Sequence, residues 1–242
     1  MEKANIKKKI KTRDLALTGC FAALYALLGI WPISPIIGLP GKAITAAAMI
    51  APVMGMILGP YFGFLSTTVG GLIDFSQGFM SPPSLVSGVF AALCGGMLSW
   101  GKRGFCALTY VLLLSFFGFY PSVGPVWLYP PLMWFQILGL LLLISPVQAK
   151  ASKNINPKNH GVVNHFYAFF ITCLTSTLAG QIAGSLSYEI MAWPALIPEL
   201  DAWKINWQAL ALVYPIERIV IAFGSAIIGL AISKILNAVK IA

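Results

Sequence analysis

A glutamate and an arginine stand side by side inside a long apolar run near the C-terminus, in the stretch YPIERIVIAFG that begins at Tyr214. Charged side chains are costly in lipid and usually face a bundle interior or a water-filled cavity. Adjacent helical residues point about 100° apart, so we expect Glu217 and Arg218 not to form a well-aligned pair. At least one of them then needs a ligand or a partner on another helix, such as Asp74 or Gln181. A buried structural ion pair is the alternative interpretation.

Other polar and aromatic side chains cluster in the connections predicted to face the outer side of the membrane. Belts of Trp and Tyr at the membrane interface would account for much of the aromatic content. Carboxylates and amides that lie one or two turns inside helices, such as Asp74 and Glu189, are better candidates for a site. Together with Lys42, Glu217 and Arg218 they form a mixed set of charges, which predicts a polar ligand, zwitterionic or anionic. The candidate substrate-binding residues are Lys42, Asp74, Gln77, Trp134, Gln136, Gln181, Glu189, Tyr214, Glu217 and Arg218.

Catalytic and metal-binding patterns are absent from the sequence. It contains no HExxH, GxSxG, Walker A or GxGxxG motif. His160 and His165 are five residues apart, a spacing that does not stack them on one helix face, and we interpret them as loop and interface residues. The four cysteines lie in apolar runs and are interpreted as small core residues. We therefore predict a protein that is not an enzyme and has no cofactor or metal, so that ATP-driven work would require another chain.

The elements that must position these residues are apolar helices. Of the 242 residues, 58% are hydrophobic and 10% are charged, and the mean hydropathy is +0.84. A soluble domain usually has about a quarter charged residues. Several apolar runs reach the roughly 17–25 residues that a membrane-spanning helix needs. The composition predicts an all-α, polytopic transmembrane helical bundle of about six to eight helices.

Glycine, proline and charged residues divide the chain into eight apolar segments. Gly59-Pro60 forms a tight turn between the second and the third. The predicted segments are about 14–31, 43–58, 60–77, 84–100, 105–119, 131–147, 161–190 and 208–236. With the eighth starting near 208, Glu217 would lie roughly 13 Å into it at 1.5 Å per residue, close to mid-membrane.

The net charge of +9 follows the positive-inside rule. Thirteen of the sixteen basic residues lie in the N-terminal region, the GKRG turn, the 148–160 loop and the C-terminal region, which an even number of spans would place on one side. We predict that both termini are cytoplasmic and that no nucleic acid is bound. Residues 1–13 are predicted to form a basic cytoplasmic arm against anionic membrane lipids, and residues 14–242 a single transmembrane helical domain.

Small residues recur four apart along the first helix, where Gly19 precedes Ala23 and Ala22 precedes Ala26. Such faces let helix backbones approach closely in lipid. They could serve internal packing or form a docking face for another membrane subunit. The first helix is the better docking candidate because both pairs lie toward its cytoplasmic half.

Three stretches together resemble the substrate-binding S components of energy-coupling factor (ECF) transporters. These are RDLALTGCFAALYALLGI, then AITAAAMIAPVMGMILGPYFGFLSTTVGGLIDF, and PIERIVIAFGSAIIGLAI, which are similar to that family's first three helices and its last helix. The resemblance implies a subunit that captures a vitamin or other micronutrient. It also implies that Gly19 and Ala23, or Ala22 and Ala26, dock onto a transmembrane coupling subunit driven by ATPase subunits. The ligand site would be capped by the first connecting loop, about 32–42, and lined by the later helices.

The leading expectation is therefore a solute-binding subunit of the cell (plasma) membrane. A stand-alone, proton-coupled secondary transporter with Glu217 or Asp74 as proton carrier is one alternative. An intramembrane lipid-modifying enzyme is another, although the sparse charges disfavour it. The segment 105–147 has no obvious place in a six-helix core.

Overall fold

The computed structural model describes residues 12–155 and 161–241, with side chains described through residue 236. Residues 1–11 of the predicted basic arm, together with Lys158 and His160, lie outside this part of the chain. The described elements are α1 (Thr12–Gly29), β1 (Pro32–Pro35), β2 (Ala43–Thr45), α2 (Ala47–Leu58), α3 (Pro60–Ser76), α4 (Pro82–Ser99), α5 (Arg103–Gly118), α6 (Pro125–Leu128), a 3-10 turn (Pro130–Met133), α7 (Trp134–Ile144), α8 (Pro146–Asn154), α9 (Val162–Ala192) and α10 (Leu200–Ile241).

Each of the eight predicted apolar segments contains a helix. The predicted sixth segment ends early, because the extended backbone of Ser145 before Pro146 separates α7 from α8. The two parts are bent by 64°. The last helix begins at Leu200, eight residues before the predicted start, and Pro215 lies within it.

Three helices are long and apolar enough to cross a membrane, namely α4, α9 and the Leu200–Leu236 part of α10. The bent pair of Pro130–Ile144 and Pro146–Asn154 would make a fourth span if it crosses as one unit. Two further apolar helices are shorter, since α2 has 12 residues and α5 has 16. The fold is thus an all-α bundle with three to four candidate spans among the described residues.

Glycines bring α2, α3 and α4 into backbone contact. A Cβ at Gly63 would lie 2.6 Å from the Cα of Gly55, across the turn at Gly59-Pro60. A Cβ at Gly55 would overlap the backbone carbonyl of Ala92 in α4. Small residues permit such close approach, which supplies the dispersion contacts that hold helices together in lipid.

Helix α9 is buried along most of its length and packs closely against α4. A Cβ at Gly184 would lie 2.9 Å from the backbone oxygen of Pro83, and one at Gly180 would overlap the backbone oxygen of Ser87. This contact fixes the distance between α4 and α9.

The segment after α4 packs against the other side of α9. The Tyr110 hydroxyl of α5 donates a hydrogen bond of 2.8 Å to the backbone oxygen of Gln136 in α7. The indole nitrogen of Trp207 in α10 donates one of 2.8 Å to the backbone oxygen of Val123. A Cβ at Gly139 of α7 would lie 2.5 Å from the Leu178 side chain of α9. The region 105–147 therefore belongs to the same core as α9 and the start of α10.

Candidate functional site

A cavity lies between α2, α4, α9 and α10 and beneath the connection from α1 to α2. Its volume is about 90 Å³, counted as the space open to the centre of a water-sized sphere. Pockets that hold small ligands usually combine an apolar lining with a few placed polar groups. This cavity has that character. Its wall combines a polar cluster, formed by Gln181, Ser185, Tyr214, Glu217 and Arg218, with aliphatic side chains from Ile36, Ile37, Leu39, Leu210 and Val213.

The roof of the cavity is the β1–β2 hairpin and the turn between its strands. The strands pair antiparallel, and the amide of Ile36 donates to the backbone oxygen of Lys42 at 3.0 Å. The roof is tethered at two places: Tyr188 of α9 donates a 3.1 Å hydrogen bond to the backbone oxygen of Gly38, and Lys42 Nζ donates one of 2.6 Å to the backbone oxygen of Gly78. Gly38 has φ +86°, a conformation that favours glycine.

Glu217 and Arg218 line the α10 wall of the cavity and form a salt bridge of 3.2 Å between Glu217 Oε2 and an Arg218 terminal nitrogen. The expectation that these two neighbours would not form a simple adjacent salt bridge was wrong. Their Cβ directions diverge, but both side chains are long enough to turn toward each other in the cavity wall. The proposed partners Asp74 and Gln181 make no hydrogen bond to either in the described chain.

The salt bridge leaves part of each group unpaired. Glu217 Oε1 and Arg218 Nε are buried without a hydrogen-bond partner among the described residues. The carboxamide of Gln181 in α9 lines the same cavity, and both of its polar atoms are also buried and unpartnered there. One turn further along α9, the Ser185 hydroxyl lies 3.3 Å from the Tyr214 hydroxyl. Two donors and two acceptors on residues that line the cavity are therefore without a partner among the described residues.

The structure brings four of the ten candidate binding residues together at the cavity: Gln181, Tyr214, Glu217 and Arg218. Sequence periodicity explains the cluster, because positions 214, 217 and 218 follow the three- and four-residue spacing of one helix face.

Three other candidates are buried outside the cavity lining. Asp74 of α3 lies against α1, where a Cβ at Gly29 would overlap its carboxyl group. Gln136 of α7 and Glu189 of α9 are both fully buried, with unpartnered side-chain atoms in the described chain.

The remaining three candidates lie at the surface or in the roof. Lys42 is tied to Gly78 and does not line the cavity. Gln77 is exposed at the C-terminal end of α3. Trp134 is half exposed, and its indole nitrogen donates to the backbone oxygen of Ala211 at 3.3 Å. None of these contacts places the three residues in the polar cluster.

Sequence reasoning missed Tyr25 and Ser185 as cavity residues. Ser185 lies four residues after Gln181, so the helical period could have identified it. Tyr25 comes from α1, where a Cβ at Gly88 of α4 would overlap its hydroxyl group. No local signal distinguishes Tyr25 within the apolar run LTGCFAALYA.

The two small-residue pairs of α1 have different surroundings. Ala22 is 4% exposed and packs against α3, where a Cβ at Gly70 would lie 2.5 Å from its backbone oxygen. Gly19 and Ala23 are exposed, and a Cβ at Gly19 would meet no atom within 4 Å. Ala26 is half-buried. The outward-facing pair is therefore Gly19 and Ala23.

Within the described residues, no group of three or more His, Cys, Asp or Glu side chains could hold a metal ion. His165 is buried, and its ring nitrogens lie 3.1 Å from the backbone oxygen of Asn154 and 3.4 Å from the Ser233 hydroxyl. These contacts indicate that the His165 ring contributes to the packing of α9 against α8 and α10.

The fold and the cavity define an all-α bundle with membrane-length apolar helices and a loop-roofed cavity. No protein-family model matches the chain, and no solved structure matches it. Over 158 residues the chain is 29% identical to "Uncharacterized protein MJ0923" of Methanocaldococcus jannaschii, a match covering 62% of this chain and 51% of that protein. The chain thus matches about half the length of this curated relative.

Proposed function

We propose that the protein is a non-catalytic, membrane-embedded solute-binding subunit for uptake of a vitamin or other micronutrient. The observation that carries the proposal is the cavity with unpartnered polar atoms on Gln181, Glu217 and Arg218. A buried polar group without a partner costs about 1–3 kcal/mol. A ligand that pairs with these atoms would offset that cost, which favours a binding role for the cluster.

Two further features agree with the resemblance to S components of ECF transporters. The first connection roofs the cavity, and later helices line it. The outward pair of Gly19 and Ala23 leaves a stretch of small residues on the exposed side of α1, between Leu15 and Leu27. On this proposal that face docks onto a transmembrane coupling subunit, which ATPase subunits drive. The protein would lie in the cell membrane with six to eight spans and both termini cytoplasmic.

The test is purification of the full chain from its native membranes in mild detergent, followed by mass spectrometry of co-purifying proteins and small molecules. We expect a bound small molecule, an ATPase pair and a membrane coupling subunit. The same preparation of the chain alone, reconstituted in liposomes, should give no proton-coupled flux. Flux by the isolated chain, or the absence of both ligand and subunits, would contradict the proposal.

The buried carboxyl group of Asp74 favours a second candidate, a proton-coupled secondary transporter. Its Oδ2 is buried without a partner among the described residues, and unpaired intramembrane carboxyl groups serve as proton carriers in transporters. On that alternative, Asp74→Asn would abolish proton-coupled flux in liposomes and leave ligand binding intact. On the primary proposal there is no such flux to lose.

A further inference from the structure

The charges that line the cavity cancel. Among the lining residues of the described chain, Glu217 and Arg218 carry the formal charges, and they are joined at 3.2 Å. The rest of the lining is aliphatic, aromatic, hydroxyl or amide. A ligand with a net charge would therefore enter without a counter-charge. Moving an isolated ion from water into such surroundings is strongly unfavourable.

We propose, on the basis of the proposed function, that the cavity takes an uncharged, largely apolar molecule that presents an N–H beside a C=O, as in a lactam, cyclic urea or pyrimidinedione ring. This inference differs from the zwitterionic or anionic ligand that the mixture of charged residues predicted. The difference arises because the salt bridge neutralises the two charges at the cavity, while Lys42, Asp74 and Glu189 lie outside its lining.

The unpartnered polar atoms of the cavity residues match a ligand edge that presents an N–H beside a C=O. The Gln181 carboxamide offers a carbonyl oxygen and an NH₂ group side by side, and both are unpartnered within the described residues. An amide-like edge on the ligand can pair with both at once, in the way two amides pair. An ionised Glu217 carboxylate only accepts hydrogen bonds, so its Oε1 selects an N–H donor, whereas Arg218 Nε only donates and selects a carbonyl oxygen.

The remaining wall accommodates an apolar ring body. Ile36, Ile37 and Leu39 cover the cavity from the roof, while Leu210 and Val213 lie on α10 beside the polar cluster. The Met80 side chain adds a polarisable surface that suits a flat ring. An uncharged heterocycle with one polar edge would thus turn that edge toward α9 and α10 and its apolar body toward the roof.

A matched set of three probes tests the proposal: quinazoline-2,4-dione, its 1,3-dimethyl derivative, which lacks the N–H donors, and its 7-carboxylate, which adds a charge. Each is added to the purified full chain in detergent, and the dissociation constant is derived from the shift in thermal unfolding. We expect the dione to bind at least about tenfold more tightly than either relative, because a site built for hydrogen bonds rejects analogues that leave its groups unpaired.

A pair of identical substitutions separates the polar cluster from general packing. Gln181 and Gln136 are both buried glutamines with unpartnered amides in the described chain, but only Gln181 of the two lines the cavity. Gln181→Leu should weaken dione binding by about tenfold, which corresponds to the loss of one or two net hydrogen bonds. Gln136→Leu should leave dione binding unchanged. Equal effects from the two variants would overturn the assignment of Gln181.

A substitution of Glu217 tests whether the neutrality of the cavity selects an uncharged ligand. Glu217→Gln leaves Arg218 without its counter-ion, so the cavity gains a net positive charge. We expect this variant to reverse the preference, with the 7-carboxylate binding more tightly than the dione. A purely structural ion pair would change stability without changing which probe is preferred. If the variant does not fold, the comparison of Gln181→Leu with Gln136→Leu still decides the proposal.

The outcomes distinguish this inference from the proposed function. Tighter binding of the 7-carboxylate than of the dione to the unaltered protein, or a charged small molecule co-purifying from native membranes, would overturn the uncharged class and leave a solute-binding subunit in place. No shift with any probe would also overturn the class. The subunit function is judged separately, by whether a small molecule and partner subunits co-purify.

Discussion

Gly55 lies where the backbones of three helices meet, and it illustrates what single residues contribute to this fold. A Cβ at this position would overlap the backbone carbonyl of Ala92, and a Cβ at Gly63 would lie 2.6 Å from the Gly55 Cα. Backbone atoms cannot move aside as a flexible side chain can, so a methyl group must push α2 away from α4. The wall of the cavity then moves as well, because Ala48 and Ala51 of α2 contribute to it.

We expect Gly55→Ala to destabilise the protein by about 1–3 kcal/mol, the usual cost of overpacking a tight core. Gly19→Ala is the matched control, since Gly19 is also helical but its added methyl group would meet no atom within 4 Å. Alanine is the better helix former, so this change should be neutral or slightly stabilising. Unfolding of the purified protein in detergent measures both. Equal stabilities for the two variants would contradict the packing described for α2 and α4.

At the scale of elements, the hairpin that roofs the cavity carries a prediction about ligand release. Its turn is held to α9 by the hydrogen bond from Tyr188 to the backbone oxygen of Gly38. Tyr188→Phe removes that bond and leaves the ring in place. A net hydrogen bond is worth about 0.5–1.5 kcal/mol, so we expect dissociation of a bound ligand to speed up roughly 2- to 12-fold. Stopped-flow release measures the rate, and Tyr167→Phe, a change at an exposed α9 tyrosine, is the control.

Helix α1 carries a second prediction at this scale. Ala23 is exposed, so Ala23→Trp should fold and bind ligand normally but fail to co-purify with the proposed coupling and ATPase subunits. Ala22 lies one residue earlier and is buried against α3. Ala22→Trp should therefore destabilise the fold itself and lose ligand binding. If both variants bind ligand and assemble normally, α1 is not the docking helix.

The elements were more predictable than the site. Apolar runs divided by Gly and Pro, such as the turn at Gly59-Pro60, identify each main helix because these residues act locally. The early start of α10 was missed because LDAWKINWQ is mixed in polarity, although Trp203 and Trp207 lie one helical turn apart and are both fully buried. The ion pair, the contribution of Tyr25 and the exclusion of Asp74 from the cavity depend on long-range packing, which local periodicity does not encode.

At the scale of the whole molecule, the distribution of charge and the length of α4 together predict that the two ends of this helix lie on opposite sides of the membrane. Helix α4 has 18 residues, or about 27 Å at 1.5 Å per residue, close to the thickness of the hydrocarbon core. Gln77 precedes it and Lys102 follows it, and both are exposed. Because Lys102 belongs to the basic GKRG turn, the positive-inside rule predicts that it lies in the cytoplasm and Gln77 outside.

Cysteine labelling in intact cells tests this orientation. In a Cys20→Ser background the other three cysteines remain buried, at 3% exposure or less, and should not react. We expect Gln77→Cys to react with a membrane-impermeant maleimide in intact cells, and Lys102→Cys to react only after the membrane is permeabilised. The reverse pattern would invert the topology and place the cavity roof in the cytoplasm, because the Lys42 side chain of the roof contacts Gly78, next to Gln77. Such a protein could not capture a solute from outside, so the orientation of α4 decides between uptake and any inward-facing role.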